Sequence, residues 1–267
     1  MIGMAGTKRD QGGSGRRFLH GVDFSGSDAG GAAGIRVATR AAGPEGVVER
    51  IERIDRAGLR RRIVAGLETG DEHRWLIDAP FGVPLATLEA CEIEATWEAT
   101  VRWMASFDSP RDWRRGVRSM TRKEPRRTTD RNSWTPLASM NLRIFKQTWT
   151  AMVELLVPLA AAGVRVEPLA GPGDSNVVVA EGCPASLLKR AGDSARGYKG
   201  QTDGNRQRRA EILATARDDW GLRIAEEAAS HAVAGQGGDD LDAVLLTLDP
   251  LVTVIPSEAS IEGWVYS

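Results

Sequence analysis

Five acidic residues stand where strand ends or a helix start would bring their carboxylates toward one point. They are Asp23, Asp78, Glu181, Asp239 and Asp242. Three of the five end runs of apolar residues, where an ionised carboxylate is costly unless a positive group meets it. A divalent cation is the simplest such partner, and ligands that are all oxygen favour magnesium or manganese over zinc. The pattern therefore predicts a site for Mg²⁺ or Mn²⁺.

Such a cluster would support the hydrolysis of phosphodiester bonds. Two carboxylates about 4 Å apart repel each other by about 4 kcal/mol at an effective dielectric constant of about 20, so protons or cations must offset the charge. Two metal ions roughly 4 Å apart would activate a water molecule and stabilise the leaving oxygen. We expect Asp23 to bridge the ions and Asp239 to bind an ion or orient the water. The other expected metal ligands are Asp78, Glu181 and Asp242.

Four of the five carboxylates also have a role that needs no metal. Asp239 follows Gly238 and is a good helix cap, and Asp242 would gain from the helix dipole. Asp78, which precedes an Ala-Pro pair, could close a turn. Glu181 could form a buried ion pair with an arginine. The metal-site prediction therefore rests on the whole set.

The elements that must position these carboxylates alternate between strand and helix. Apolar runs and turn residues predict strands at residues 18–23, 35–41, 47–54, 75–78, 164–166 and 177–181. Helical spacing predicts helices near residues 55–67, 145–159, 207–216 and 239–248. Ligands collect at the carboxyl edge of an open α/β sheet, so Asp23, Asp78 and Glu181 meet there if their strands are neighbours. Asp239 and Asp242 are three residues apart and share one helical face.

Length and composition are those of an ordinary globular chain. The 267 residues, 42% of them hydrophobic, favour one domain. Residues 1–17 predict a disordered leader, and residues 18–267 a single domain with a helical insertion at about 84–163. Cys91 and Cys183 have no partner at disulfide-framework or zinc spacing, which fits a reducing cytoplasm. No apolar run approaches the roughly 18 to 20 residues that span a bilayer, so we expect no membrane partner.

A basic segment suggests a surface for nucleic acid. Between residues 108 and 131 there are nine Arg and Lys against four Asp and Glu, and Trp113 and Trp134 could stack on bases. A solvated helical face is the alternative interpretation of this segment. The residues expected to contact phosphate or substrate are Ser25, Arg126, Arg127, Asp130 and Lys199. We therefore expect a nucleic acid as the partner of this protein.

Seven short blocks, taken in their order and spacing, resemble one known family. They are GVDFS at 21–25, IDAPFG at 77–82, RTTD at 127–130, EGCPA at 181–185, YKG at 198–200, DDLDA at 239–243 and EGW at 262–264. Together they are similar to the domain of unknown function 429 family, described as predicted nucleases of ribonuclease H-like fold. The resemblance runs from about Phe18 to Ser267.

That resemblance implies an α/β fold with a ribonuclease H-like core. The core would be a five-stranded mixed sheet flanked by helices, ordered as in ribonuclease H and Holliday-junction resolvases, with the helical insertion after the fourth strand. Acids would lie on the first strand, the fourth strand and the last helix, which correspond to Asp23, Asp78 and either Asp239 or Asp242. Glu181, on the fifth strand, is an additional acid. The implied activity is metal-dependent hydrolysis of nucleic acid.

Two other functions remain open at this point. The turn at residues 23–31 is similar to the phosphate loop of actin-like sugar kinases and ATPases, in which backbone N–H groups cradle nucleotide phosphates. Those phosphotransferases normally carry two copies of the fold, and this chain has room for one copy and an insertion. The other alternative is a non-catalytic nucleic-acid-binding module, whose acids only cap helices and form ion pairs.

Overall fold

A mixed β-sheet organises the part of the chain that the computed structural model describes, residues 15–28, 34–121, 124–249 and 254–267. Its strands are β1 (Arg17–Asp23), β2 (Ile35–Ala41), β4 (Ile51–Ile54), β5 (Glu72–Asp78), β6 (Arg165–Glu167), β7 (Val177–Gly182) and β9 (Val265–Tyr266). The order is β4-β2-β1-β5-β7-β6, and β9 pairs with the end of β7. Strand β2 is antiparallel to β1 and β4, whereas the other pairings in this sheet are parallel. Two short strands, β3 (Val47–Val48) and β8 (Arg223–Ile224), pair separately.

The structure departs from the predicted strands mainly at the sheet edges. The strand predicted at 47–54 is divided into β3 and β4, which belong to different sheets. The sheet also exceeds the five strands that the resemblance implies, because β6 and β9 both pair with β7. Residues 1–14 of the predicted leader and 29–33 of the glycine-rich turn region lie outside the described residues, as do Arg122 and Lys123 of the basic segment.

Helices cover both faces of the sheet. Those described are α1 (Arg56–Ala65), α2 (Leu85–Ala90), α3 (Trp97–Ala105), α4 (Pro110–Met120), α5 (Thr128–Asn132), α6 (Phe145–Thr150), α7 (Val157–Ala161), α8 (Pro184–Arg190), α9 (Asp203–Asp218), α10 (Glu226–Ala234), α11 (Asp239–Leu245) and α12 (Ala259–Glu262). A π-helical turn, Ala151–Leu156, joins α6 to α7, and a 3₁₀ turn, Gly66–Glu68, follows α1. Helices α2 to α7 all lie between β5 and β6 in the chain. None of the described helices is long and apolar enough to cross a bilayer.

Two large apolar cores and a smaller third cluster lie against the sheet. Alternate residues of a strand point to opposite faces. Val22 and Ile77 therefore enter a core with residues of α1 to α4, α6 and α7, among them Trp149. Ala38 enters a second core with residues of α8 to α11, among them Leu241. Side chains of the strands thus pack against a layer of helices on each face of the sheet. The carboxyl ends of the strands lie between the two layers.

Helix α11 packs directly on β1 because β1 has a glycine at the contact. A Cβ atom on Gly21 would lie 2.0 Å from the carbonyl oxygen of Ala243 and 2.8 Å from the Cβ of Leu246. Gly182 on β7 has as little room, since its Cβ would lie 2.6 Å from Cδ2 of Leu246. The two glycines therefore set how closely α11 approaches the strand ends, and with it the position of Asp242.

We expect Gly21→Ala to lower the free energy of unfolding by about 1–3 kcal/mol, because the added methyl group has no space beneath α11. Gly70→Ala is the matched control, since a Cβ there meets no atom within 4 Å. Urea denaturation measures both variants against the unchanged protein. Equal stability of the two variants would contradict the close packing described for α11.

Candidate metal centre

Three of the five predicted acids come together at one end of the sheet. Asp23 and Asp78 end the parallel neighbours β1 and β5 and are paired directly in the strand register. Asp242 reaches the same place from α11. One carboxylate oxygen of each residue lies within 4.8 Å of the other two. These three residues, called the acid triad below, could hold a metal ion.

The surroundings of the acid triad make its negative charge costly. Asp242 is fully buried, and Asp23 and Asp78 are partly buried. Burial first, and then the charge of Asp242, raise the pKa of Asp78 from its usual 3.8 to about 7. Burial, Asp242 and Asp78 together raise the pKa of Asp23 well above 3.8. The triad therefore retains protons toward neutral pH unless a cation takes their place.

Lys199 and Tyr198 are the nearest partners of Asp242. The Nζ of Lys199 lies 2.6 Å from Oδ2, and the Tyr198 hydroxyl donates a hydrogen bond to Oδ1 at 2.9 Å. Burial lowers the pKa of Lys199, but the carboxylates of Asp242 and Asp78 raise it by more, so the ammonium stays charged. Burial nevertheless keeps the pKa of Asp242 above its usual value despite both partners. The lysine predicted to contact phosphate is thus paired with an acid of the triad.

Glu181 does not join the acid triad, because it points to the other face of the sheet. In the register of β5 and β7 it pairs with Ile77, one residue before Asp78. Strand alternation therefore turns Glu181 toward the side of Ile77 and away from Asp78. There Arg127 donates to its two oxygens at 2.5 and 2.7 Å, and the N–H of Phe81 donates at 2.9 Å. The residue expected to bind metal is instead half of a buried ion pair.

Arg127 and Asp130, both expected to contact phosphate or substrate, belong to that buried cluster. Arg127 is only 1% exposed. Its guanidinium also donates to the Asp130 carboxylate at 2.7 and 3.0 Å and to the main-chain oxygen of Glu262 at 2.8 Å. With the two bonds to Glu181, all five guanidinium N–H groups have acceptors. The prediction that Arg127 holds phosphate is therefore corrected, since the protein already satisfies every donor.

The acid triad lies in the wall of a cleft of about 1110 Å³. Asp239 and Ser25 also line the cleft, and the charge of Asp239 adds to the causes that raise the pKa values of Asp23 and Asp78. The hydroxyl oxygen of Ser25 accepts a hydrogen bond from the N–H of Ser27 at 3.3 Å. Both predicted residues thus stand beside the triad without being part of it.

Arg126 and the two tryptophans of the basic segment have different surroundings. Arg126 is exposed and donates to the carbonyl oxygen of Thr135, and it does not line the cleft. Trp113 is fully buried in the first core, so it has no free face for a base. Trp134 is exposed.

The cleft also contains polar residues that the sequence patterns did not identify. Its additional basic residues are Arg143, Lys146, Lys189 and Arg196. Gln147 lines it as well, and the side-chain amide donates to the main-chain oxygens of Phe24 and Asp78. These residues come from α6, α8 and the adjoining loops, which only the tertiary fold brings to the strand ends. No local pattern distinguishes them from other polar residues on helices.

Comparison with known proteins provides no relative. No family model, curated protein or solved structure matches this chain. The similarity to the domain of unknown function 429 family therefore stays a sequence-based prediction. What the protein can do follows from the chemistry of the acid triad and its cleft.

Proposed function

We propose that this protein is a metal-dependent nuclease that hydrolyses phosphodiester bonds in nucleic acid. The observation that carries the proposal is the meeting of Asp23, Asp78 and Asp242 within 4.8 Å at the carboxyl ends of two parallel strands. A ligand set made of carboxylate oxygens suits Mg²⁺ or Mn²⁺. The raised pKa of Asp78 supports the fit, because burial first, and then the charge of Asp242, disfavour its ionised form by more than Lys199 favours it.

The order of elements supports a ribonuclease H-like core for this site. In chain order β1, β2, β4, β5 and β7 supply the five sheet strands that the sequence resemblance implies, and β6 and β9 extend the edge at β7. Asp23 ends the first of the five, Asp78 ends the fourth, and Asp242 lies on a later helix. This distribution agrees with the acids expected from the resemblance, and it favours Asp242 over Asp239 as the helical member.

The residues of the site have distinct roles in the proposed reaction. Asp23, Asp78 and Asp242 would hold the metal, while the Tyr198 hydroxyl fixes one oxygen of Asp242. A bound ion supplies a water molecule of lowered pKa and positive charge for the phosphoryl oxygens. The side chain of Lys199 is 53% exposed, which leaves it free to turn toward a phosphate once a cation neutralises Asp242.

We expect Asp23→Asn to reduce cleavage dependent on Mg²⁺ or Mn²⁺ by more than about 100-fold, because the amide loses the charge that holds the ion. The assay uses labelled RNA, DNA and branched DNA with each metal. Asp174→Asn changes an exposed acid outside the cleft and should keep full activity. Circular dichroism should show both variants folded. If none of these substrates is hydrolysed in an Asp23-dependent manner, the protein is not the nuclease proposed.

Phosphotransfer is the second candidate, because Ser25, Gly26 and Ser27 of the glycine-rich turn line the same cleft. Residues 29–31 of the predicted phosphate loop lie outside the described residues. A phosphotransferase should be stabilised against thermal unfolding by ATP at millimolar concentration or below. No change in melting temperature with any nucleotide would exclude it. Binding of nucleic acid without hydrolysis would instead favour the non-catalytic binding module.

The contribution of Asp78 to the stability of the metal-free protein should fall as the pH rises from about 4 to about 7. Over this interval the folded protein holds a proton on Asp78, whose pKa is about 7, whereas the unfolded chain has released it near 3.8. A carboxyl whose pKa is raised by folding opposes folding above its unfolded value. The loss is about 1.4 kcal/mol for every tenfold difference between the acid dissociation constants of the folded and unfolded states. Thermal melts at constant ionic strength measure this loss.

Asp78→Asn is the comparison for that pH series, because its neutral amide resembles the protonated acid and has no proton to lose. The free energy of unfolding of the variant, relative to that of the unchanged protein, should therefore rise with pH up to about pH 7. Above that pH the difference between the two proteins should stay constant. Mg²⁺ or Mn²⁺ should stabilise the unchanged protein more at pH 8 than at pH 5, since the ion replaces the proton. A stability difference between the two proteins that does not vary with pH would contradict the burial and charge described for Asp78.

A further inference from the structure

Trp134 is the only exposed residue among the eight tryptophans, all of which lie in the described ranges. Its side chain is 55% exposed, although an indole is among the most favourable groups to bury. A single exposed aromatic residue is ordinary on its own. Its backbone and its neighbours distinguish it from an ordinary surface residue.

The backbone at Trp134 is held in a conformation that bulky residues rarely adopt. Its φ angle is +55°, in the left-handed region that favours glycine and asparagine. The Nζ of Lys189 donates to its carbonyl oxygen at 2.7 Å. The next residue, Thr135, donates its N–H and its hydroxyl to Asp130, at 3.1 and 3.0 Å. Because Asp130 is fixed by Arg127, the backbone next to Trp134 is anchored to a buried ion-pair cluster.

Trp134 does not itself line the cleft that contains the acid triad, but the chain enters the cleft wall at the next residue. The three residues that follow it, Thr135, Pro136 and Leu137, line the cleft. Lys189, which binds its carbonyl oxygen, lines the cleft as well. Trp134 therefore lies at the edge of the cleft wall, and its exposed indole is available to a molecule that extends out of the cleft.

Two arginines in the cleft wall have guanidinium groups that pair with no other side chain in the described part of the protein. Arg143 and Arg196 line the cleft and are exposed. Within the described part of the chain, neither guanidinium group has a hydrogen-bond or ion-pair partner. Unpaired cations that share a cleft with an acidic metal site match a polyanion that also needs a cation at one phosphate.

We propose that the cleft binds a single strand of nucleic acid and that Trp134 stacks on one of its unpaired bases. The inference rests on the proposed function and names the substrate class of that site. Stacking requires a base face that is free of a neighbouring base, which a strand interior offers only when it is unpaired. Arg143 and Arg196 contact phosphates that flank the one at the acid triad. A fully paired duplex gains the arginine contacts but not the stacking contact.

Fluorescence anisotropy with labelled oligonucleotides tests the stacking contact separately from cleavage, in an Asp23→Asn background. Trp134→Ala should weaken the binding of single-stranded RNA or DNA about 5- to 150-fold, the range expected for loss of one base–aromatic stack. Trp134→Phe should retain most of the affinity, because it keeps an aromatic face. Binding of a duplex of the same sequence should change less than about 2-fold.

Met120→Ala is the matched control, because Met120 is also exposed, at 61%, and neither it nor its chain neighbours Ser119 and Thr121 line the cleft. It should leave binding of both oligonucleotides unchanged. Arg143→Ala and Arg196→Ala should each reduce the slope of log affinity against log salt concentration by about 0.7, as expected for one phosphate contact to a single strand. Melting temperatures show whether each variant is folded.

Any one of several results would overturn the inference. The first is unchanged single-strand binding by Trp134→Ala, and the second is an equal loss for the duplex. The third is a dimer, seen by sedimentation, that Trp134→Ala dissociates, which would assign the indole to a contact between two copies of this chain. Cleavage that depends on Asp23 but not on Trp134 would leave the nuclease intact and remove only this inference. Trp134-dependent binding without any hydrolysis would retain this inference and exclude the nuclease.

Discussion

The structure depends on holding three carboxylates close together in surroundings that disfavour their charge. Each member of the acid triad comes from a different element, so no single stretch of the chain can assemble it. Burial of apolar side chains on α11, such as Leu241 and Val244, drives that helix onto the sheet. Gly21 then sets the distance between helix and strand. Hydrophobic packing thus brings together groups that would otherwise move apart.

The two faces of the sheet treat their acids in opposite ways. On one face Glu181 and Asp130 share Arg127, and every guanidinium donor is used, so Arg127 has no N–H group left for another ligand. On the other face Lys199 alone cannot neutralise three carboxylates. The Arg127 cluster therefore forms internal hydrogen bonds, whereas the acid triad still requires a cation or protons to offset its charge. The neighbouring strands β5 and β7 thus both end in an acid, but Asp78 belongs to the acid triad and Glu181 to a buried ion pair.

Strand ends carried most of the signal by which the site could be predicted. Asp23 and Asp78 follow apolar runs, and the structure brings them together. Glu181 has the same local signal, but it pairs with Ile77 and not with Asp78 and therefore lies on the other face of the sheet. The sequence of a single strand does not reveal this pairing register. Arg127 was indistinguishable from its solvated neighbours, because its main partner Glu181 is 54 residues away in the chain. The strands and longer helices were predictable, whereas the wall of the cleft required the tertiary fold.

Gln147 gives the helical segment between β5 and β6 a direct connection to the acids. Its one amide nitrogen bonds the main-chain oxygens of Phe24 and Asp78, just after β1 and at the end of β5. One side chain thus ties the cleft wall formed by α6 to both strand ends, so the spacing of the Asp23 and Asp78 carboxylates depends on where the insertion packs as well as on the strand pairing.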